Sequence, residues 1–273
     1  MKLLTEFRLQ LFNTLSKSEF ENATFLTGGC VRNHLLHREI ADVDICVCLP
    51  EGHEKFAEYL YQLGLGSKPI IYKHTGTVRI DFQGITLEVS MAKGATKTNQ
   101  HSDEHIESTC LAEDVLHRDF TINSLYMNLK TGDILDLTGY GLPDIQDGII
   151  RTVVSPKNVF LADPIRILRG IRFAAEYSLS IEDDTWQAML TLKDNLKLAA
   201  PERLKNEFTL MLYGSDPASA FRILAESGSL SLVAPDFSFW LDSLGTTSEA
   251  GLSAINALRS SKKDSLSRWL CIL

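Results

Sequence analysis

The apolar pattern of this chain changes period once, near residue 157, and that change limits the possible folds more than any other feature. Before it, FLTGG, DVDICVCL and KPIIYKHTGTVRIDFQGITLEVSMA carry β-rich runs, with turn signals at Gly76 and at Gln83-Gly84. Between these runs, residues 3–17, VRNHLLH and EKFAEYLYQLG repeat apolar residues at helical spacing, the last stopped by Gly64. Beyond residue 157 strand signals nearly vanish. The stretches VFLADPIRILRGIRFAAEY, DDTWQAMLTLKDNL, PERLKNEFTLMLYG and DPASAFRILAESG all keep a helical period. The expectation is an α+β chain: a mixed β-sheet with helices over residues 1–150, then an all-helical part over 151–273. With 273 residues, 44% of them hydrophobic, the chain can bury the core that this division needs.

Charge narrows the function. The formal net charge of -8 excludes a uniformly basic coat, so any contact with nucleic acid must be local. Residues 1–150 carry 13 Lys and Arg against 21 Asp and Glu, whereas 151–273 balance at 14 and 14. The acidic excess therefore sits where carboxylates could hold metal. Five cysteines without a CxxC pair make a poor disulfide framework and point to a reducing cytoplasm. The opening MKLLTEFRLQLFNTL reads as an amphipathic helix rather than a signal peptide, and no apolar run reaches the length of a membrane span. The apolar end SRWLCIL predicts a chain cut within a helical element.

In a strand, residues i and i+2 share a face, so Asp42 and Asp44 of ADVDIC project two carboxylates side by side while Val43 and Ile45 pack inward. Like charges that close call for a cation, and a carboxylate pair with few other ligands suits Mg²⁺ completed by water and phosphate oxygens. Upstream, Gly28 and Gly29 let the backbone approach a phosphate at the start of the next helix, whose first turn carries Arg32. Either feature alone has an ordinary explanation, a tight turn or a solvated strand edge. Joined by one helix, they describe a nucleoside triphosphate held with its metal. Glu88 of ITLEVSM is the candidate for a third carboxylate, Asp81 of VRIDF its competitor, and a solvent-facing strand residue the plain alternative for both. The HSDEH stretch, residues 101–105, is not HExxH and is not read as a zinc site.

With GGCVRN and DVD in order, the chain resembles the class II nucleotidyltransferases, which comprise tRNA CCA-adding enzymes and bacterial poly(A) polymerases. HRDFTINSLYMN, residues 117–128, and LADPIRILRGIRFAAEYSLSI, residues 161–181, resemble that family's next two motifs. The resemblance covers roughly residues 23–231. It implies a catalytic head over 1–150, then a helical neck and the start of a body over 151–273, concerned with base recognition and RNA binding. It implies template-independent addition of C and/or A to a tRNA 3′ end by two-metal phosphoryl transfer, with CTP, ATP and the tRNA 3′ end as partners. A poly(A) polymerase or a catalytically silent RNA-binding homologue are the alternatives, and no protein partner is indicated. Carried over by position, Asp42 and Asp44 are metal ligands, and Gly28, Gly29, Arg32, Arg118, Asp119 and Asn123 hold the triphosphate or sugar. Asp163 with Arg166 reads the base edge, and Arg169 and Arg172 contact phosphate or serve the local structure. Asp163, Arg166, Arg169 and Arg172 recur every three residues, along one drifting stripe of a helix. The chain departs from the family at Asn33, where aspartate is usual, at His117, where arginine is usual, and at Ala162, where glutamate is usual. Residues 91–117 lack the Arg and Tyr of the family's flexible loop, which favours an enzyme adding only C. PERLKNEF reads as structural, with Pro201 at a helix start and Glu202 suited to the dipole.

Overall fold

The computed structural model describes residues 2–73, 76–95, 110–244, 253 and 256. HSDEH, most of the 91–117 segment and the SRWLCIL end lie outside the described residues. The chain divides into two compact units, Met1–Asp147 and Gly148–Leu273. None of the described helices is long and apolar enough to cross a membrane.

The first unit is built on a mixed seven-stranded sheet. In chain order it contains α1 (Lys2–Leu15), β1 (Thr24–Thr27), α2 (Gly28–Leu35), β2 (Val43–Val47), α3 (Gly52–Gln62), β3 (Ile70–Tyr72), β4 (Thr77–Phe82) and β5 (Ile85–Met91). Then follow α4 (Ala112–Val115), a 3₁₀ turn (Thr121–Asn123), β6 (Tyr126–Asn128), β7 (Ile134–Leu135) and α5 (Gly141–Asp147). The strand order is β3-β4-β5-β2-β1-β6-β7, and β2 with β5 is its parallel pair. Gln83 and Gly84, at φ 51° and 85°, form the two-residue turn that joins β4 to β5 and match its twist. Helix α1 fits its amphipathic reading: Leu4, Phe7, Leu11 and Leu15 are buried on one face. Val43 and Ile45 of β2, Leu87 and Val89 of β5, and Phe56 and Leu60 of α3 belong to the same core.

Cα partners in adjacent strands share a face, so the register draws one line across the sheet: Tyr126, Thr27, Asp44, Glu88, Arg79, Ile70. Five of these six residues are charged or carry a hydroxyl and stand over strands β6, β1, β2, β5 and β4, while the residues flanking them along β2 and β5 point into the core.

The second unit is helical apart from a short parallel pair, β8 (Ile149–Ile150) with β9 (Ser180–Ile181), which periodicity did not reveal. Its helices are α6 (Pro156–Ala162), α7 (Ile165–Tyr177), α8 (Asp183–Leu192), α9 (Pro201–Tyr213), α10 (Pro217–Glu226), α11 (Leu230–Val233) and α12 (Pro235–Leu244), with a 3₁₀ segment at Lys193–Leu198. Phe160, Ile167, Leu168, Ile171, Leu212 and Phe221 are buried in it. Starts are marked as sequence rules require: Glu182 accepts from the Thr185 amide before α8, Asp216 from the Ser219 amide before α10, and Pro201 opens α9.

One sequence expectation fails here. LADPIRILRG is not a continuous helix, because Asp163 precedes Pro164 and adopts an extended backbone, φ −154° and ψ 100°, between α6 and α7. Asp163 therefore does not lie on a helical stripe with Arg166, Arg169 and Arg172.

Candidate active site

Helix α2 begins at Gly28 itself, with φ +65°, a conformation glycine adopts without penalty. Thr27 at the N-cap makes no side-chain cap bond; instead Asp44 Oδ2 accepts from the Gly29 amide at 2.8 Å. A Cβ at Gly28 would meet Asp44 Oδ2 at 2.5 Å. The glycine pair thus serves the carboxylate directly: one glycine makes room for it and the next binds it. Gly28→Ala is expected to cost about 1–3 kcal/mol in chemical denaturation through backbone strain. It should also weaken divalent-ion binding at least about tenfold by calorimetry, since the carboxylate must move. An unchanged ion affinity would remove the cradle argument.

The electrostatics of Asp44 suit a cation. Its carboxyl is pushed up to about 6, first by burial and then by Asp42, with Glu88 adding to the effect and the Gly29 bond and Arg118 opposing it. Asp42 itself precedes β2 and is exposed. Glu88 is the register partner of Asp44 but is exposed, and among the described residues no three His, Cys, Asp or Glu side chains lie close enough together to hold a metal. Glu88 is therefore not assembled with Asp42 and Asp44 as a third ligand. Asp81 sits on β4, with β5 between it and β2, and accepts from Thr86 Oγ1 at 2.9 Å. Two neighbouring carboxylates, Asp44 costly to ionise and Asp42 exposed beside it, with most coordination positions left to water and phosphate oxygens, fit Mg²⁺.

The next predicted residues form one hydrogen-bonded network with α2. Arg32 is buried and donates through Nε and a terminal nitrogen to Asn33 Oδ1, at 3.1 and 2.9 Å, and to Asn123 Oδ1. Asn33 in turn donates to the Glu39 carbonyl at 2.8 Å, so it supports Arg32 as a neutral acceptor. Asn123 donates to Asp119 Oδ1 at 3.3 Å, and its carbonyl accepts from Arg118 at 3.2 Å. Asp119 also accepts from the Phe120 amide at 2.7 Å, closing the turn. Asn123 therefore ties together the two arginines that lie 86 positions apart in the chain.

Sequence reasoning missed the group that fixes Arg118. Asp114 Oδ2 accepts from Arg118 Nε at 3.0 Å and from Tyr126 Oη at 2.8 Å, and Asp114 Oδ1 accepts from the Lys93 amide at 3.0 Å. The guanidinium stands 4.7 Å from the Tyr126 ring centroid. The signal was present, since Asp114 and Arg118 stand at i and i+4, Asp114 on α4 and Arg118 just past its end.

In the second unit the base-reading candidates are arranged differently from expectation. Both oxygens of Asp163 accept from Arg203, at 3.0 and 2.7 Å, in a two-pronged ion pair with α9, and Oδ1 also receives the Ile165 amide at 3.3 Å. Arg166 opens α7, its amide bonded to the Asp163 carbonyl at 3.1 Å. Arg172 donates to Glu207 at 2.8 Å and Glu176 at 3.3 Å, and Arg169 lies 4.0 Å from Glu207. Both guanidiniums stack on Phe173, at 5.2 Å for Arg169 and 4.4 Å for Arg172. Arg172 is thereby engaged inside the unit, the local structural role being the one its contacts describe. PERLKNEF, read as structural, supplies both Arg203 and Glu207 to these residues.

Comparison with known proteins agrees in both units. Residues 24–151 match the family described as Poly A polymerase head domain, and residues 178–241 the one described as probable RNA and SrmB-binding site of polymerase A. A CCA-adding enzyme from Oceanobacillus iheyensis is 31% identical over 218 residues, covering 79% of this chain and 52% of that protein. The Bacillus stearothermophilus CCA-adding enzyme in complex with CTP aligns with a TM-score of 0.67 at 26% identity, covering 93% of this chain and 57% of that one. A tRNA nucleotidyltransferase complexed with a primer tRNA and an incoming ATP analog aligns with a TM-score of 0.68 at 25% identity, covering 92% and 70%. The chain spans about half the length of the curated relatives it matches.

Proposed function

Because the chain belongs to the class II nucleotidyltransferases, the family of tRNA CCA-adding enzymes and bacterial poly(A) polymerases, we propose that it takes part in template-independent addition of C, or of C and A, to the 3′ end of tRNA. The observation that carries this reading is Asp44: a half-buried carboxylate beside Asp42, bonded to the Gly29 amide of a glycine-led helix. Asp42 and Asp44 are the residues that would hold Mg²⁺. Bound there, the ion supplies charge neutralisation and a lowered pKa for an attacking hydroxyl. Gly28 and Gly29 let the backbone approach a triphosphate and Arg32 brings positive charge beside it, while Arg118, oriented through Asn123 and Asp119, gives a fixed positive charge for phosphate or ribose. Residues 1–150 act as the catalytic head in this reading, and 151–273 as neck and start of the body. The four described cysteines are buried free thiols, which suits a cytoplasmic setting.

Asp163 and Arg166 supply an acceptor and a donor, the pairing that recognises an amino group beside a ring nitrogen in cytosine and adenine but not the carbonyl of uracil or guanine. Arg203 holds that acceptor in one orientation. The test offers the protein tRNA lacking its last three nucleotides, with CTP and ATP separately and together, and sequences the products. Incorporation from CTP is expected, with ATP deciding between C-only and C-and-A addition; absence of both defeats the proposal. In the same assay Asp163→Ala should lower preference for C over U roughly tenfold while triphosphate affinity holds. A common loss for all four nucleotides would make Asp163 structural.

A further inference from the structure

Beyond the carboxylate row, the first unit holds a second cleft. At the level of Asp44, β1 leaves the sheet into α2, whereas β5 runs the other way, past Glu88 to Ser90, Met91 and Lys93. Ser90 shares the face of Glu88 two residues on, about 7 Å along the strand. Around it lies a cavity of about 270 Å³ walled by His53, Ser90, Lys93, Asp114, His117 and Arg118. Four of those six side chains are basic types. The carboxylate among them, Asp114, is already committed to Arg118, Tyr126 and the Lys93 amide. His53 keeps a buried Nδ1 with no hydrogen-bond partner, while its Nε2 lies 4.0 Å from Glu54. Arg118 belongs to both places, for it lines the cleft and also lowers the proton affinity of Asp44. Such a wall suits a phosphate group.

We propose that this cleft binds a backbone phosphate of the RNA strand being extended. The inference rests on the nucleotidyltransferase reading above, because that reading places the triphosphate on the α2 side of Asp44. In phosphoryl transfer the attacking and leaving oxygens lie roughly in line across the phosphorus. With pyrophosphate leaving on the α2 side, the attacking 3′-hydroxyl comes from the β5 side, and the phosphates of its strand trail toward Ser90 and Lys93. Lys93 is exposed and supplies the mobile charge; Arg118, pinned by Asp114, supplies the fixed one.

The test uses Lys93→Ala, Lys93→Arg and His53→Gln in the otherwise unchanged protein, with a fluorescent tRNA lacking its last three nucleotides as probe. For Lys93→Ala the RNA dissociation constant should rise about fivefold and the slope of log K against log salt should flatten by about 0.7, one single-strand phosphate contact. Lys93→Arg should restore both, and His53→Gln should weaken RNA binding without altering the KM for CTP. Inhibition by added pyrophosphate should stay at the wild-type level in all three. RNA affinity and salt slope unchanged in Lys93→Ala and His53→Gln would overturn the proposal, and so would weakened pyrophosphate inhibition with RNA binding intact, since the cleft would then serve the leaving group. Wild-type incorporation from CTP is measured alongside: its absence, with Lys93-dependent RNA binding retained, would remove the transferase reading and leave the phosphate site standing.

Discussion

Asp44→Asn is expected to lower nucleotide incorporation by several powers of ten, because it removes one of the two carboxylates proposed to hold Mg²⁺. The same substitution should act in the opposite direction on the metal-free fold. Burial and Asp42 raise the Asp44 carboxyl from its ordinary value to about 6, so the folded chain binds that proton more tightly than the unfolded one. Stability without metal therefore falls as pH rises between about 4 and 6 and stays reduced above, by at most about 3 kcal/mol. Asparagine does not titrate and keeps an acceptor for the Gly29 amide. Denaturation in chelator at pH 8 should show Asp44→Asn more stable than wild type, with the gap closing toward pH 4. Saturating Mg²⁺ should then raise the melting temperature of the wild type and leave the variant unmoved. Near-normal turnover by the variant would refute the metal assignment; a gap that is independent of pH would refute the electrostatic one.

Asp114→Ala should produce the largest loss of stability among single changes at the site. Asp114 is buried and accepts from Arg118, Tyr126 and the Lys93 amide, so alanine strands a mostly buried guanidinium and two further donors. Breaking such a pair from one side costs about 3–5 kcal/mol, and the partial exposure of Arg118 puts the expected value at the lower end. Urea unfolding at neutral pH measures it directly. Asp114→Asn keeps an acceptor of the same shape and should recover roughly half of the loss. If alanine costs under about 1 kcal/mol, Arg118 is held by the Tyr126 ring and the Asn123 carbonyl instead.

The division of the chain and the type of most elements were readable because they depend on period and turn chemistry, which are local. Gly64, Gln83-Gly84, Pro201 and Asp216 mark boundaries by their own backbone preferences. The break at Asp163 was also readable in principle, since a residue before proline resists the helical region, but the apolar period ran straight through it and masked the signal. The partners of the site residues were less accessible. Asp114 stands one helical turn from Arg118 and could have been found, whereas Arg203 meets Asp163 only because α9 packs beside the α6–α7 break, 40 positions later. Pairings of that kind depend on helix packing angles, which no window of sequence encodes. The replacement of aspartate by Asn33 shows the same limit: its two bonds from Arg32 and one to Glu39 define its role by neighbours, not by charge.

The line of residues across the sheet also bears on when the site comes into being. Asp44 and Glu88 meet in a parallel ladder, and the chain between them must complete α3 and the β3–β4–β5 meander before that ladder can close. Loop closure of this length is paid for before its contacts repay it, so strands of this kind pair late in folding. A slip of one residue between β2 and β5 would bring Val43 or Ile45 to the polar face and drive Asp44 into the core. The chain cannot acquire its carboxylate pairing early and correct its register afterwards; both are decided in the same step.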